Sequence, residues 1–281
     1  MKRKNKPLKF VLILVLGLCA FIIYAFFVEP NRLELTYLGN ADHPTSYPLE
    51  SELRIAFFAD LHIYKYRGFH DRLLQQIEGY HPDLIMFGGD ALAKFTDVKD
   101  LELFFQKLKE IAPVYTNFGN WEEYAPVHMR QRFENLDITL IEKETKVLNI
   151  KGLEIAVTGL ESHYFLPQTE TVQDKQAHDL SVMLIHSPIG IEDKMQIIEN
   201  YDLVLAGHIH GGQYYIKYLT KKILELRNGR DISYFAGAYE YKDTMIFVTR
   251  GVGQWFPGRF NCLPELVIID LSLPINSERG F

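Results

Sequence analysis

Short apolar runs, most of them running straight into a polar residue or a glycine, alternate with helix-spaced stretches through much of this chain. The runs 53–59, 84–87, 114–117, 181–185 and 203–206 are dominated by aliphatic, β-branched and aromatic residues. Runs of that length predict strands buried in a sheet rather than helices. Between the first three, apolar spacing at Phe69, Leu73, Leu74 and Ile77, and again over 101–111, predicts two amphipathic helices. His81-Pro82-Asp83 stops the first, and Pro113 ends the second. From Asp137 the pattern changes to short strands with tight turns, over 139–141, 147–150 and 153–159. Asn149-Ile150-Lys151-Gly152 predicts a hairpin connection. A short helix is expected over 191–199, and late β runs over 245–249 and 265–270. The alternation marks an α/β fold.

The N-terminal pattern is different. Phe10 to Val28 is 19 residues without a charge, about 28 Å as a helix and close to the thickness of a bilayer's hydrocarbon core. Lys2, Arg3, Lys4, Lys6 and Lys9 all precede it. That bias predicts a cytoplasmic N-terminus and an extracytoplasmic domain. No small-x-small cleavage site follows, and Leu18 is too bulky for a lipoprotein-type site before Cys19. A retained signal anchor is therefore expected rather than a cleaved signal peptide. The expected organisation is a basic flank over 1–9, an anchor over 10–28, a connector over 29–52 and one catalytic-sized domain over 53–281.

Composition narrows the partners. Beyond residue 28 the chain carries 25 basic against 36 acidic residues, a net charge of −11. Nucleic-acid binding, which leans on a basic footprint, is not expected. A phosphate substrate would have to find its positive charge elsewhere, in metal ions. The only cysteines, Cys19 and Cys262, exclude a cysteine-rich zinc motif.

The chemistry gathers where the strands end. Asp60-Leu61-His62, Gly88-Gly89-Asp90, Gly119-Asn120-Trp121-Glu122, His186-Ser187-Pro188 and Gly207-His208-Ile209-His210 each follow an apolar β run. In α/β sheets, sites form at these carboxyl edges. Singly, an Asp or Asn there is turn chemistry and a His is hydrogen-bonded scenery. Five such blocks in order are harder to dismiss. Histidines two apart, as at 62 with Asp60 and at 208 and 210, would project the same way from extended backbone.

This ordered series resembles the signature of calcineurin-like binuclear metallophosphoesterases, across residues 53–270. The N-terminal anchor and the tail Gly251-Val252-Gly253, Arg259-Phe260 and Pro264-Glu265 look like the membrane-associated bacterial branch. The resemblance implies a four-layer α/β/β/α sandwich with two divalent metal ions (Mn, Fe, Zn or Co) at the sheet edges. It implies Asp60, His62 and His210 on one ion, Asn120, His186 and His208 on the other, and Asp90 bridging. Asp60, Asp90, Asn120 and His210 would carry catalysis, with a bridging hydroxide as nucleophile. Two divalent ions, two carboxylates and that hydroxide would sum to about +1, a site that attracts phosphate.

One block departs from the family pattern, G-N-H-[DE], because Trp121 replaces its histidine. Indole offers one N–H and no proton at useful pH. Ala93 stands where the protein serine/threonine phosphatases carry an aspartate. Phosphodiesters or pyrophosphates are therefore expected over phosphoproteins. Trp121 and Arg259 are candidate substrate contacts. Trp121, Tyr124, Tyr164, Phe165, Trp255 and Phe256 are candidates for an apolar wall suited to a lipid-linked phosphoester. The alternatives are a cytoplasm-facing enzyme like the UDP-diacylglucosamine pyrophosphatases of lipid A synthesis, and a metal-binding scaffold without turnover.

Overall fold

Two six-stranded sheets face each other in the computed structural model, which describes residues 6–39, 52–160 and 177–272. With strands numbered in chain order, the first sheet runs β1 (Glu34–Gly39), β12 (Glu265–Ser272), β2 (Glu52–Phe58), β3 (Leu84–Phe87), β4 (Val114–Thr116) and β5 (Thr139–Leu140). The second runs β10 (Gly237–Tyr241), β11 (Thr244–Val248), β9 (Leu203–Ala206), β8 (Leu180–Leu184), β7 (Leu153–Gly159) and β6 (Glu144–Ile150). Pairing is parallel through β2-β3-β4-β5 and through β11-β9-β8-β7. Parallel pairing brings the carboxyl ends of the strands in each run to one edge.

Alternation along each strand divides the core. Leu53, Ile55 and Phe57 point inward and meet Val157, Val182, Leu184 and Leu205 of the facing sheet. Ala56, Phe58, Ile85 and Phe87 point outward, into a layer that includes α2 (Gly68–Gly79), α3 (Val98–Ile111) and α4 (Pro126–Asn135). On the far side Met183, Val204 and Ile246 pack against Ile191, Ile198 and Tyr201. The layers are α/β/β/α, as expected. Each large side chain fully buried in this way contributes about 1.5–3 kcal/mol.

The segment predicted as a helix over 191–199 is a 3₁₀ turn, Ile191–Lys194, followed by one α turn, α5 (Met195–Ile198). The predicted hairpin turns at Lys151 and Gly152, both with positive φ, between antiparallel β6 and β7. The stretch 29–52 is not all connector. Within it, β1 pairs in parallel with β12, packing half-buried Leu35 and Leu38 against the two cores.

At the N-terminus α1 (Lys6–Ile23) continues through a π turn, Tyr24–Val28, and a 3₁₀ turn, Glu29–Asn31. Over Lys9–Asn31 this helix is long and apolar enough to cross a membrane. Its far end docks into the domain. Ala25, Glu29 and Pro30 are buried, the Arg259 amide donates to the Ala25 carbonyl at 2.8 Å, and the Cys262 amide donates to the Glu29 carboxylate. Phe21 meets Phe260 edge to face at 4.9 Å.

Candidate metal centre

Five loops leave the carboxyl ends of β2, β3, β4, β8 and β9, and the two sheets bring them together. The side chains that end them form two clusters. In one, His62 Nε2 lies 3.1 Å from His210 Nε2, and His210 Nε2 lies 3.6 Å from Asp60 Oδ1. In the other, His186 Nε2 lies 3.2 Å from Asn120 Oδ1 and 3.1 Å from His208 Nδ1. Asp90 stands between them, with Oδ2 at 3.6 Å from His62 Nε2 and 3.2 Å from His186 Nε2.

Backbone conformation aims these groups. Asp60, His62, Asp90, His208 and His210 all have φ between 41° and 72°, a region that non-glycine residues rarely adopt. The strands stop before these groups begin: β2 ends at Phe58 and β9 at Ala206. The extended pairing expected for His208 and His210 is therefore corrected. His210 opens a tight turn through Gly212, and the left-handed residues turn one imidazole into each cluster. Glycine clears the space around them: a Cβ on Gly89 would lie 2.4 Å from the Gly119 amide, and one on Gly251 would lie 2.7 Å from Asp60 Oδ2.

The donor set suits cations. His62 Nδ1 faces the Leu92 carbonyl at 2.8 Å, and His186 Nδ1 faces the Gly88 carbonyl at 2.8 Å. A carbonyl only accepts, so each Nδ1 holds the hydrogen and each Nε2 is free to ligate. Those nitrogens converge with two buried carboxylates, and His210 Nδ1 is buried without a hydrogen-bond partner. The buried Asp90 carboxylate draws positive charge to the same atoms, and an ion there would displace the proton it otherwise holds on His186 Nε2. Burial would depress His186, but the charge and hydrogen bond of Asp90 overcome it and raise the imidazole to about 10. Burial would raise Asp90, but the His186 charge and hydrogen bond take it down to about 2. Burial lifts Asp60 to about 7 and, with the His186 charge, depresses His208 to about 3.

Glu122, which strand-end reasoning did not single out, holds the loops in register. Its buried carboxylate accepts from the amides of Asp90, Ala91, Leu92 and Gly119 at 2.7–3.0 Å. The Trp121 amide donates to Asp90 Oδ1 at 2.8 Å. The Trp121 indole lies edge-on to His62, with ring centroids 5.6 Å apart.

A cavity of about 440 Å³ opens over the centre. Asp90, Asn120, His208 and His210 floor it, while Trp121, Tyr124 and Trp255 stand at its sides. Arg227, on α6 (Leu219–Asn228), also lines it, with its guanidinium 5.0 Å above the Trp255 ring. Arg227 carried no signal in the sequence, since it lies in no motif. Of the expected aromatic wall, Phe256 stacks on Tyr214 instead of lining the cavity, and Tyr164 and Phe165 lie outside the described residues. Arg259 does not line the cavity either. Its guanidinium is buried and donates to the carbonyls of Arg250, Gly251, Gly253 and Cys262. It braces the loop that packs behind Asp60, a job that no phosphate contact or surface ion pair describes.

Residues 53–212, more than half the chain, match the calcineurin-like phosphoesterase family. The chain belongs to that family. It is 26% identical to an uncharacterised metallophosphoesterase of Campylobacter jejuni, over 96% of this chain and 73% of that one. It is also 26% identical to phosphodiesterase YaeI of Escherichia coli, over 88% and 92%. It is 24% identical to UDP-2,3-diacylglucosamine pyrophosphatase LpxG of Chlamydia muridarum, again over 88% and 92%. As a calcineurin-like phosphoesterase, the chain is a metal-dependent phosphoric ester hydrolase.

Proposed function

We propose that this chain is a membrane-anchored phosphoesterase that hydrolyses a phosphodiester or pyrophosphate at a pair of divalent ions, Mn, Fe, Zn or Co. The observation that carries the reading is the convergence of seven side chains into two clusters that share Asp90. In this reading Asp60, His62 and His210 hold one ion, Asn120, His186 and His208 the other, and Asp90 both. Ions so held supply a water of lowered pKa and a positive surface for phosphoryl oxygens.

The chain's own residues do the rest. The carbonyls of Leu92 and Gly88 fix which nitrogen of His62 and His186 faces the centre. The Trp121 amide and Glu122 orient Asp90. No side-chain acid stands at position 121, so a leaving group there departs without a proton from that residue. This favours substrates with good leaving groups, or substrates that bring their own contacts. Arg227 is the one Lys or Arg among the described residues lining the cavity, so a second phosphate of a bound substrate would find its counter-charge there.

The apolar helix over Lys9–Asn31 supports anchoring in the cell membrane, and the basic flank supports a domain on the outside. Trp121, Tyr124 and Trp255 around the cavity support a lipid-linked substrate. The similarity to LpxG favours a second reading, a UDP-diacylglucosamine pyrophosphatase-like activity; a cytoplasm-facing enzyme of that kind would have its domain on the side opposite to the one the basic flank supports. Protease access in intact cells separates the two. Hydrolysis of bis-p-nitrophenyl phosphate with Mn²⁺ tests the shared chemistry. A protein that binds metal but turns over with no divalent ion would be a scaffold instead.

A further inference from the structure

Helix α6 carries an apolar stripe that no part of the described chain covers. Leu219, Ile223 and Leu226 recur at i, i+4 and i+7, so they share one face. They are 50%, 53% and 75% exposed, and Ile216 and Tyr218, just before the helix, are 54% and 79% exposed. The opposite side is anchored to the domain through buried Thr220 and through Leu224, which packs on Ile189, Ile209 and Ile232. Lys222 and Arg227 flank the stripe, and Lys217 precedes it. An apolar stripe edged by cations, on a helix whose other exposed residues are polar, is the pattern of a helix lying in a lipid interface.

The path from the N-terminal helix to α6 is short and rigid. Phe21 of α1 touches Phe260, and the Phe260 amide donates to the Gln213 carbonyl at 2.9 Å while its carbonyl accepts from Tyr215 at 2.8 Å. Thr220 Oγ1 then donates to the Tyr214 carbonyl at 2.8 Å and accepts from the Ile216 amide at 2.8 Å. The start of α6 is thus tied to the point where α1 enters the domain. Arg227 stands on the same helix, beside the stripe and on the lip of the cavity.

We infer that α6 lies on the bilayer, with Leu219, Ile223 and Leu226 immersed at the boundary of headgroups and acyl chains, and that the cavity opens beside Arg227 at headgroup level. The inference rests on the reading of α1 as a membrane anchor. A phosphoester in a lipid headgroup then meets Arg227 and Trp255 without leaving the membrane surface. A symmetric contact between two copies through α6 would set Lys217, Lys222 and Arg227 against the same three cations, whereas a lipid surface offers them phosphates.

The test uses the full chain in phosphatidylcholine vesicles, with and without phosphatidylglycerol. A fluorophore is placed on Cys19 within α1, on Leu226→Cys, or on Val147→Cys at the exposed far edge, the latter two with Cys19→Ser. Cys262 is buried and stays unlabelled. Circular dichroism confirms that each variant is folded. Spin-labelled lipid is expected to quench Cys19 strongly and position 226 most when the spin lies near the headgroup, leaving position 147 bright. Phosphatidylglycerol is expected to strengthen the effect at 226. Quenching at Cys19 with none at 226 would overturn the inference and leave the anchor standing. Quenching at neither would remove both. Emission at 226 that changes with protein density but not with the quencher would assign the stripe to a second copy.

Discussion

The amide of Asp90 donates to the carboxylate of Glu122 at 2.8 Å, tying the proposed shared ligand to the loop that presents Asn120. Three further amides share that carboxylate, two from the Asp90 loop and one from Gly119. Glu122→Gln would turn an N–H₂ group toward these donors. Its metal affinity is expected to fall about 10–100-fold, the usual effect of losing an outer partner of a metal ligand. Titration of activity with Mn²⁺ measures it, and an unchanged midpoint would remove Glu122 from the centre.

Asp90→Ala should weaken both proposed ions, whereas His62→Ala should weaken one. Metal analysis after gel filtration distinguishes these outcomes. Equal losses from the two variants would mean that Asp90 is not shared.

Arg227→Met is expected to raise KM for a pyrophosphate diester by about 3–10-fold, as loss of an exposed charged contact does. The value of kcat should change less than KM, because Arg227 lines the cavity wall and is none of the proposed ligands, although its charge reaches His208. A fall in kcat alone would move Arg227 into the reaction itself.

Arg54 and Asp270 form a two-pronged pair at 2.6 and 2.7 Å between β2 and β12, with Arg54 fully buried. Asp270→Ala removes the carboxylate from that buried guanidinium and leaves it the Tyr80 carbonyl, at an expected cost of about 3–5 kcal/mol. The double variant Arg54→Met, Asp270→Leu should recover most of it. Denaturant unfolding of the three proteins checks this, and a mild effect of the single variant would contradict it.

His70 lies in the outer core against Tyr66, Phe69 and Phe104, where burial and the Arg67 charge lower it to about 4. The unfolded chain binds the proton first, near pH 6.5. His70 therefore contributes stability above that pH, and the contribution is lost as pH falls toward 4. The full loss is on the order of 3 kcal/mol. His70→Gln, which cannot titrate, should lose less stability than the parent between pH 7 and 4.5. Parallel curves would refute the assignment.

The strands that deliver the centre were legible because both their faces are buried, which makes the apolar runs continuous. Leu84–Phe87, Leu153–Gly159 and Leu203–Ala206 agree with the sequence reading to the residue. β1, β10, α4 and α6 were not legible. Their apolar residues are sparse or point to solvent, so no period stands out. The seven proposed ligand positions follow from the strand ends and from the resemblance, but the sequence holds no sign of the backbone that aims them. Aspartate and histidine do not announce positive φ as glycine does. Glu122 could have been noticed as an acid two residues past Asn120, though only the fold turns it back toward Asp90. Arg259 misleads for a related reason: sequence shows its charge and conceals the four carbonyls that enclose it.

The left-handed residues leave a lasting mark on the protein. Five such positions at about 1 kcal/mol or more apiece rival the whole margin by which a typical domain stays folded, about 5–15 kcal/mol. Glycine would relieve the strain at any of them, yet each is a residue whose side chain the proposed centre uses. Variants selected for heat resistance should therefore improve the sheets, the helices and the outer loops while these five stay as they are. Where one of them does become glycine, a tougher but idle protein is the expected result.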